Sequence, residues 1–157
     1  MIDIEVEAPE WRRALPEAEA LVRAAAETAL RVGREPNAGA AGVAILLADD
    51  AAVAELNDRF RGKVGPTNVL SFPAPPNPEL HLGDVALAYG VCRREADEQG
   101  KALAAHLQHL VAHGVLHLLG YDHAQHDEAA AMEDLERTIL AALGVSDPYA
   151  AEQGDHD

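Results

Sequence analysis

The rest of the chain is organised around one stretch, His113-Gly114-Val115-Leu116-His117-Leu118-Leu119-Gly120-Tyr121-Asp122-His123. His113 and His117 are four residues apart, so on a helix their imidazoles project from the same face, about one turn apart. Gly120 ends that helix, because glycine adopts the left-handed conformation at a helix C-terminus without a steric penalty. We expect the chain to turn back there, so that His123 can approach the same point from the side. Three nitrogen ligands leave a fourth position open to water, which is the arrangement of a catalytic zinc ion.

Two further histidines extend the row on the predicted helix. At about 100° per residue, His106, His109, His113 and His117 fall within roughly 80° of one another, beside an adjoining face of leucines. We select His113 and His117 as the ligand pair, because this pair lies next to the helix-ending glycine and His123. His109 then lies either behind the ligands or toward the substrate, and His106 is expected to be solvated.

Length and composition indicate one soluble globular domain. The chain has 157 residues, of which 48% are hydrophobic and 25% charged. A run of about 18 apolar residues is absent, and the N-terminus lacks a signal pattern, so we expect a cytoplasmic protein that does not contact membranes. Cys92 is the only cysteine, which excludes an internal disulfide and a cysteine-rich zinc site. We expect residues 1–144 to form the domain and residues 145–157 an acidic, loose tail.

The net charge of -15 limits the possible functions. A strongly acidic surface repels nucleic acid and argues against a protein that coats RNA or DNA non-specifically. It is compatible with a nuclease, because a metal ion and a local cationic patch can bind phosphate inside an acidic field. The densest cationic spot in the sequence holds Arg59, Arg61 and Lys63.

The hydrophobic pattern predicts an α/β (α+β) fold, with a mixed sheet of about four strands packed with about five helices. The predicted strands are 2–6, 43–47, 69–72 and 83–89, and the predicted helices are 16–32, 49–60, 90–99, 101–119 and 127–143. The proline-rich segment 73–78 must be an extended loop, and it predicts an antiparallel pairing of the last two strands. The metal site is placed on the histidine-bearing helix and on the turn that follows it.

Three motifs support a resemblance to a known family. The pattern H-G-x-L-H-L-x-G-Y-D-H is met in full by residues 113–123. A second element is present as Leu56-Asn57, Phe60-Arg61 and Thr67 to Pro73, and a third as Leu82-Gly83-Asp84. In this order they resemble the YbeY family of single-strand-specific endoribonucleases that mature ribosomal RNA.

The resemblance implies a metal-dependent endoribonuclease that processes the 3′ end of small-subunit ribosomal RNA and takes part in ribosome quality control. It implies one Zn²⁺ per chain, bound by His113, His117 and His123, and these three histidines together with Arg61 are the implied catalytic residues. The implied partners are ribosomal RNA and ribosomal particles or ribosomal proteins, with no role for DNA.

The residues themselves suggest how such a substrate is held. Arg61 presents a planar fork that suits phosphate oxygens. Arg59 and Lys63 are expected to form a small cationic cleft with it, facing the open coordination position. His109 is a further substrate-binding candidate.

Two other classes of function stay open. The histidine spacing also matches zinc peptidases with the motif H-E-x-x-H-x-x-G-x-x-H, in which the glutamate is the general base. Gly114 occupies that position here and cannot move a proton, a loss of about 10²–10⁴ in rate unless the base comes from elsewhere. The remaining possibility is a non-catalytic ribosome-assembly factor in which the metal only fixes the turn.

Overall fold

The computed structural model describes residues 1–122 and 126–149. These residues contain four strands and six helices: β1 (Ile2–Val6), α1 (Glu10–Ala14), α2 (Ala18–Gly33), β2 (Gly42–Ala48), α3 (Asp50–Arg61), β3 (Val69–Pro73), β4 (His81–Ala88), α4 (Tyr89–Gln99), α5 (Leu103–Leu118) and α6 (His126–Ala142). The four predicted strands and the five predicted helices are all present, with ends shifted by up to two residues.

The strands form one mixed sheet in the order β1-β2-β4-β3. The first three strands of this order are parallel, and β3 runs antiparallel to β4. The α/β fold and the antiparallel pair are therefore confirmed. The connection from β1 to β2 contains α2 and the connection from β2 to β4 contains α3, because parallel neighbours need a long crossover rather than a tight turn.

The sixth helix, α1, was not predicted. It has only five residues, and the burial of one side chain stabilises it. A helix this short shows no apolar periodicity. Trp11 is fully buried, and its indole N–H donates a 2.9 Å hydrogen bond to the carbonyl of Ala48 at the end of β2. A single anchored side chain of this kind leaves no repeating pattern in the sequence.

The two faces of the sheet pack against different helices. Successive side chains of a strand point to opposite faces, and in β2 the residues Val43, Ile45 and Leu47 belong to the main core with α2 and α5. Leu46 and Ala48 point the other way and pack with α3 in a smaller apolar cluster. The sheet thus separates a large core from a thinner layer.

Gly114 sets the distance between α5 and the sheet. A Cβ atom at this position would lie 2.8 Å from Cγ1 of Val85 and 3.3 Å from Oγ of Ser71, which is too close for the first contact. The hydroxyl of Ser71 instead donates a 3.2 Å hydrogen bond to the carbonyl of Gly114. The glycine therefore lets the helix lie directly on β3 and β4, and it brings the histidines on either side of it to the same edge of the sheet.

Candidate metal centre

His113 and His117 point toward one another at the C-terminal end of α5. Their Nε2 atoms are 3.0 Å apart, and both side chains are half-buried. Two nitrogen ligands at about 2.0–2.1 Å from one tetrahedral zinc ion lie about 3.3 Å apart. The pair therefore fits a single ion with a displacement of a few tenths of an ångström.

A buried carboxylate fixes which nitrogen of His113 faces its neighbour. Nδ1 of His113 donates a 3.3 Å hydrogen bond to Oε1 of Glu136, a residue that is 1% exposed. An ionised carboxylate can only accept, so the proton lies on Nδ1 and the lone pair of Nε2 points toward His117. An imidazole held in this way by a carboxylate is oriented to bind a metal ion through its other nitrogen.

Glu136 lies at the centre of a hydrogen-bond network that joins α5, α6 and the segment after α6. Its carboxylate accepts hydrogen bonds from Nε2 of His109 at 2.7 Å and from the hydroxyl of Tyr149 at 3.0 Å, as well as from His113. Burial raises the pKa of Glu136, but the hydrogen bonds from the two histidines outweigh it and lower the pKa from 4.5 to about 2. The carboxylate is thus ionised throughout the physiological pH range.

The sequence contains a signal for Glu136 that our sequence analysis missed. Met132, Ile139 and Leu140 are buried residues of α6, and Glu136 lies on the same face, four residues after the first and three before the second. An acidic residue inside an apolar stripe must be paired when the stripe is buried. The pattern indicates a buried carboxylate, although it does not identify the histidines that meet it.

Arg61 shares a cavity with the histidine pair. The cavity has a volume of about 310 Å³, and it is lined by Arg61, Asn68, Val69, Leu70, Ser71, Pro73, His113 and His117. Arg61 is the last residue of α3, and its guanidinium donates a hydrogen bond to the carbonyl of Ser71 and lies 5.7 Å from the ring centre of Phe72. The end of one helix, a strand and the end of a second helix therefore meet around the same space.

The other three substrate-binding candidates lie elsewhere among the described residues. Arg59 pairs with Glu55 at 2.6 Å, and Lys63 is exposed in the loop after α3. Neither of them lines the cavity that holds Arg61. His109 is directed into the core toward Glu136, so it lies behind His113 rather than in the cavity.

The expectation that His106 is solvated is wrong. Its side chain is buried, at 4% exposure, and its Nε2 lies 2.9 Å from Oε1 of Glu95 on α4. The amide of Asn68 donates to the same carboxylate at 3.0 Å. Because Asn68 also lines the cavity, this second histidine–glutamate pair supports the cavity wall from behind.

The turn after α5 has the geometry that the sequence predicts. Gly120 has a φ of 99°, its N–H donates to the carbonyl of His117, and the N–H of Tyr121 donates to the carbonyl of Leu116. This pair of bonds closes a helix through a glycine in the left-handed region. The hydroxyl of Tyr121 donates a 2.9 Å hydrogen bond to the carbonyl of Gly33, which fixes the turn to α2.

The predicted third ligand, His123, lies outside the described residues. Within residues 1–122 and 126–149, no group of three His, Cys, Asp or Glu side chains is arranged to hold one metal ion. The described geometry thus gives two nitrogen donors, those of His113 and His117.

Comparison with known proteins identifies the family of this chain. The model of the family described as Endoribonuclease YbeY matches residues 5–144. The chain belongs to the endoribonuclease YbeY family. The match includes both ends of the cavity, since it contains Arg61 as well as the histidine stretch. It also extends beyond the segment from Leu56 to His123 on which the resemblance was recognised.

Two relatives in the family and one solved structure show how far the similarity extends. "Endoribonuclease YbeY" of Paramagnetospirillum magneticum is 51% identical over 156 residues, covering 94% of each chain. The protein of the same description from Maricaulis maris is 60% identical over 110 residues, covering 70% of this chain and 69% of the relative. The solution structure of TM1509 from Thermotoga maritima is 25% identical with a TM-score of 0.59, and the alignment covers 94% of this chain and 98% of that one.

A membrane-spanning helix is not found in the described part of the chain. None of the helices there combines the length and the apolar character that a bilayer crossing requires.

Proposed function

We propose that this chain is a zinc-dependent endoribonuclease that processes ribosomal RNA in the cytoplasm, and that His113, His117 and His123 hold the ion. The observation that carries the proposal is the shared cavity, in which an arginine fork and two converging imidazoles line the same space. The names of the relatives, which describe endoribonucleases, support the same activity. Phosphodiester cleavage needs positive charge around the phosphate, and these are the groups that supply or recruit it.

Each residue of the cavity has a defined task in this proposal. When bound, zinc supplies a Lewis acid for a phosphate oxygen and lowers the pKa of a water molecule. Glu136 keeps the proton of His113 on Nδ1 and so keeps its Nε2 available. Arg61 binds non-bridging phosphate oxygens, because a guanidinium has five N–H donors and the bond to Ser71 uses only one of them.

The structure disfavours the peptidase alternative for a steric reason. The general base of the zinc peptidases would stand at Gly114, and even a Cβ there would lie 2.8 Å from Val85. A glutamate at this position would therefore clash with β4. The packing that positions the two histidines thus excludes the glutamate that the peptidase mechanism requires at position 114.

Metal content tests the site first. Zinc bound per chain is measured after loading and dialysis of wild type, His117→Ala and His81→Ala. We expect about one zinc in the wild type and in His81→Ala, whose imidazole lies at the start of β4 beside Asp84. His117→Ala should retain little, because one of the two described nitrogen donors is removed. Full occupancy in His117→Ala would refute the assignment.

Arg61 tests the phosphate contact. Arg61→Ala should lower the cleavage rate of a labelled ribosomal precursor about 10²–10³-fold, the loss seen when one donor to a developing charge is removed. The variant should still fold, and its zinc content should not change. Arg61→Lys should restore little, since a point charge lacks the bidentate geometry.

Arg59→Ala is the matched control for Arg61. It removes the same charge from the same helix, but the side chain is paired with Glu55 and lies outside the cavity. Equal losses in the two variants would show a general charge effect and no specific phosphate contact.

The way in which the RNA reaches the site can be tested separately. Because the chain carries a net charge of -15, we expect weak binding to bulk RNA and a shallow dependence of binding on salt, as for a protein that contacts few phosphates. Cleavage of the same precursor is therefore measured across a salt series, once with the free RNA and once with the RNA within a ribosomal particle. Faster cleavage in the particle at every salt concentration would indicate delivery by a ribosomal partner, and tight binding to naked duplex RNA with a steep slope would contradict the small cationic site.

A further inference from the structure

The face of the sheet that packs against α3 contains a second, larger cavity, which we call the sheet groove. Its volume is about 1010 Å³. Its floor is formed by outward-facing residues of the strands, among them Ala44, Leu46 and Ala86, and one wall is formed by Leu56 and Phe60 of α3. Because two of the floor residues are alanines, the strand surface is recessed beside the helix.

Two aromatic rings stand at the groove, next to the catalytic cavity. Phe60 is 60% exposed, although it is a large apolar residue, and it meets Phe72 edge to face with the ring centres 5.6 Å apart. Both rings line the sheet groove. An exposed aromatic ring that packs against a half-buried one in a mainly apolar groove marks a surface that binds a ligand with flat apolar faces.

The sheet groove borders the cavity that holds the histidines. Arg61, Ser71 and Pro73 line both spaces. The guanidinium of Arg61 also lies 5.7 Å from the ring centre of Phe72, so the phosphate-binding group and the aromatic surface are neighbours. A chain whose phosphate is bound by Arg61 can place its adjoining nucleotide in the groove.

Charge is distributed unequally along the sheet groove. Arg61 is the cation at the end next to the histidines, whereas Asp3, Glu5 and Asp84 line the groove on β1 and β4. Carboxylates repel phosphates, but they accept hydrogen bonds from the amino groups of bases, as in the recognition of cytosine N4 by acidic side chains. The groove therefore suits the base of a nucleotide, with its phosphate kept at the Arg61 end.

We propose that the sheet groove binds unpaired bases of the RNA strand on one side of the scissile phosphate, with Phe60 and Phe72 as the stacking surface. This inference rests on the proposed function and adds a base-binding subsite to it. It also gives a physical reason for a preference for single strands, because a base can enter the groove only when it is free to leave the stack of a helix. A duplex would present its phosphates to the acidic rim.

The experiment combines a protein variant with removal of a base from the substrate. A single-stranded RNA oligonucleotide cut at one position is prepared intact and as a series in which each nucleotide in turn lacks its base. For the wild type, we expect one position beside the cut at which loss of the base raises KM by roughly 5- to 150-fold, the range for one stacked base. Phe60→Ala should raise KM similarly on the intact RNA and show no further rise with that abasic RNA.

Two control variants separate stacking from a general effect of the surface. Phe60→Tyr keeps the stacking ring and should raise KM much less than Phe60→Ala does. Val64→Ala removes an apolar side chain that is 97% exposed and does not line the groove, so it should behave as wild type. The rise in KM caused by Phe60→Ala and the rise caused by removing a base would multiply at every position if the ring and the bases acted independently. That result would overturn the proposal. So would a normal KM for Phe60→Ala on intact RNA.

A binding measurement distinguishes the failure of this inference from the failure of the proposed function. The metal-free protein is titrated with the same labelled oligonucleotides and followed by fluorescence anisotropy. If the wild type binds with the expected loss at one abasic position but no loaded protein cuts RNA, the base-binding subsite stands and the nuclease proposal fails. If RNA is cut but Phe60→Ala binds every oligonucleotide like the wild type, the subsite is wrong. A labelled Lys- and Arg-rich peptide is titrated in the same way. If Phe60→Ala loses only the binding of this peptide, the groove is a protein-binding surface and the subsite is also wrong.

Discussion

Two glutamates hold imidazoles of the same helix, and they differ in what the imidazole does with its other nitrogen. Glu136 holds His113, whose Nε2 faces His117 and the cavity. Glu95 holds His106, whose Nδ1 is buried and has no hydrogen-bond partner in the described part of the chain. The residue pair is the same, but only the first pair presents a nitrogen lone pair to a space that can accept a ligand.

The comparison shows that burial of a histidine beside a carboxylate does not by itself define a site. Both pairs orient a ring and both stabilise contacts between helices, α5 with α6 in one case and α5 with α4 in the other. What distinguishes the His113–Glu136 pair is the second imidazole four residues along the helix and the open cavity beside it. We therefore propose that the position of each histidine relative to the end of α5 decides its role.

Neutralising each carboxylate tests this difference most directly. Glu136→Gln keeps the shape of the side chain but removes the charge that holds the proton on Nδ1 of His113, so we expect zinc affinity to fall about 10- to 100-fold. Glu95→Gln should leave zinc affinity at the wild-type value, because His106 does not reach the cavity. Affinity is measured by competition with a zinc chelator at fixed pH. Equal losses in the two variants would mean that the carboxylates act through the stability of the fold alone.

The sequence predicts the fold well where side chains repeat with a clear period. The apolar run of β2 and the alternation in β1 identify their strands, and the proline-rich loop identifies the antiparallel pair. Where a single contact between residues distant in the chain determines an element, the sequence does not predict that element. The helix α1 depends on the burial of Trp11 beside β2, and neither its short length nor its composition indicates it.

In the candidate site, too, the local features could be predicted from the sequence and the long-range contacts could not. The spacing of His113 and His117 within one helix is local, and the structure brings their Nε2 atoms together. The partners of the histidines are not local, since Glu136 follows His113 by 23 residues and Glu95 precedes His106 by 11. Helix packing decides those contacts, and without knowledge of the packing a histidine such as His106 is wrongly expected to be solvated.

Packing of α5 against the sheet can be perturbed without changing either carboxylate. Gly114→Ala adds a methyl group 2.8 Å from Cγ1 of Val85, and overpacking of this kind costs about 1–3 kcal/mol of the free energy of unfolding. We expect a loss in that range by urea denaturation, together with weaker zinc binding, because the helix end must move away from β4. Val85→Ala in the same chain should recover part of the zinc affinity. An unchanged stability of Gly114→Ala would show that α5 is not positioned by this contact.

The smallest effect concerns the response of the second pair to pH. Burial lowers the pKa of His106 below its ordinary value of 6.5, although the contact with Glu95 opposes this change. Below about pH 6.5 the unfolded chain therefore binds a proton at His106 that the folded protein resists, and folding stability falls as the pH drops through that range. The free energy of unfolding of metal-free protein should decrease from about pH 7.5 to about pH 5.5, and His106→Gln should decrease less, because glutamine cannot titrate and can still donate to Glu95. Since all other titrating groups are shared, the difference between the two slopes isolates His106. Identical slopes would mean that His106 takes up its proton as readily in the folded protein as in the unfolded chain, so that burial of its ring would not lower its pKa.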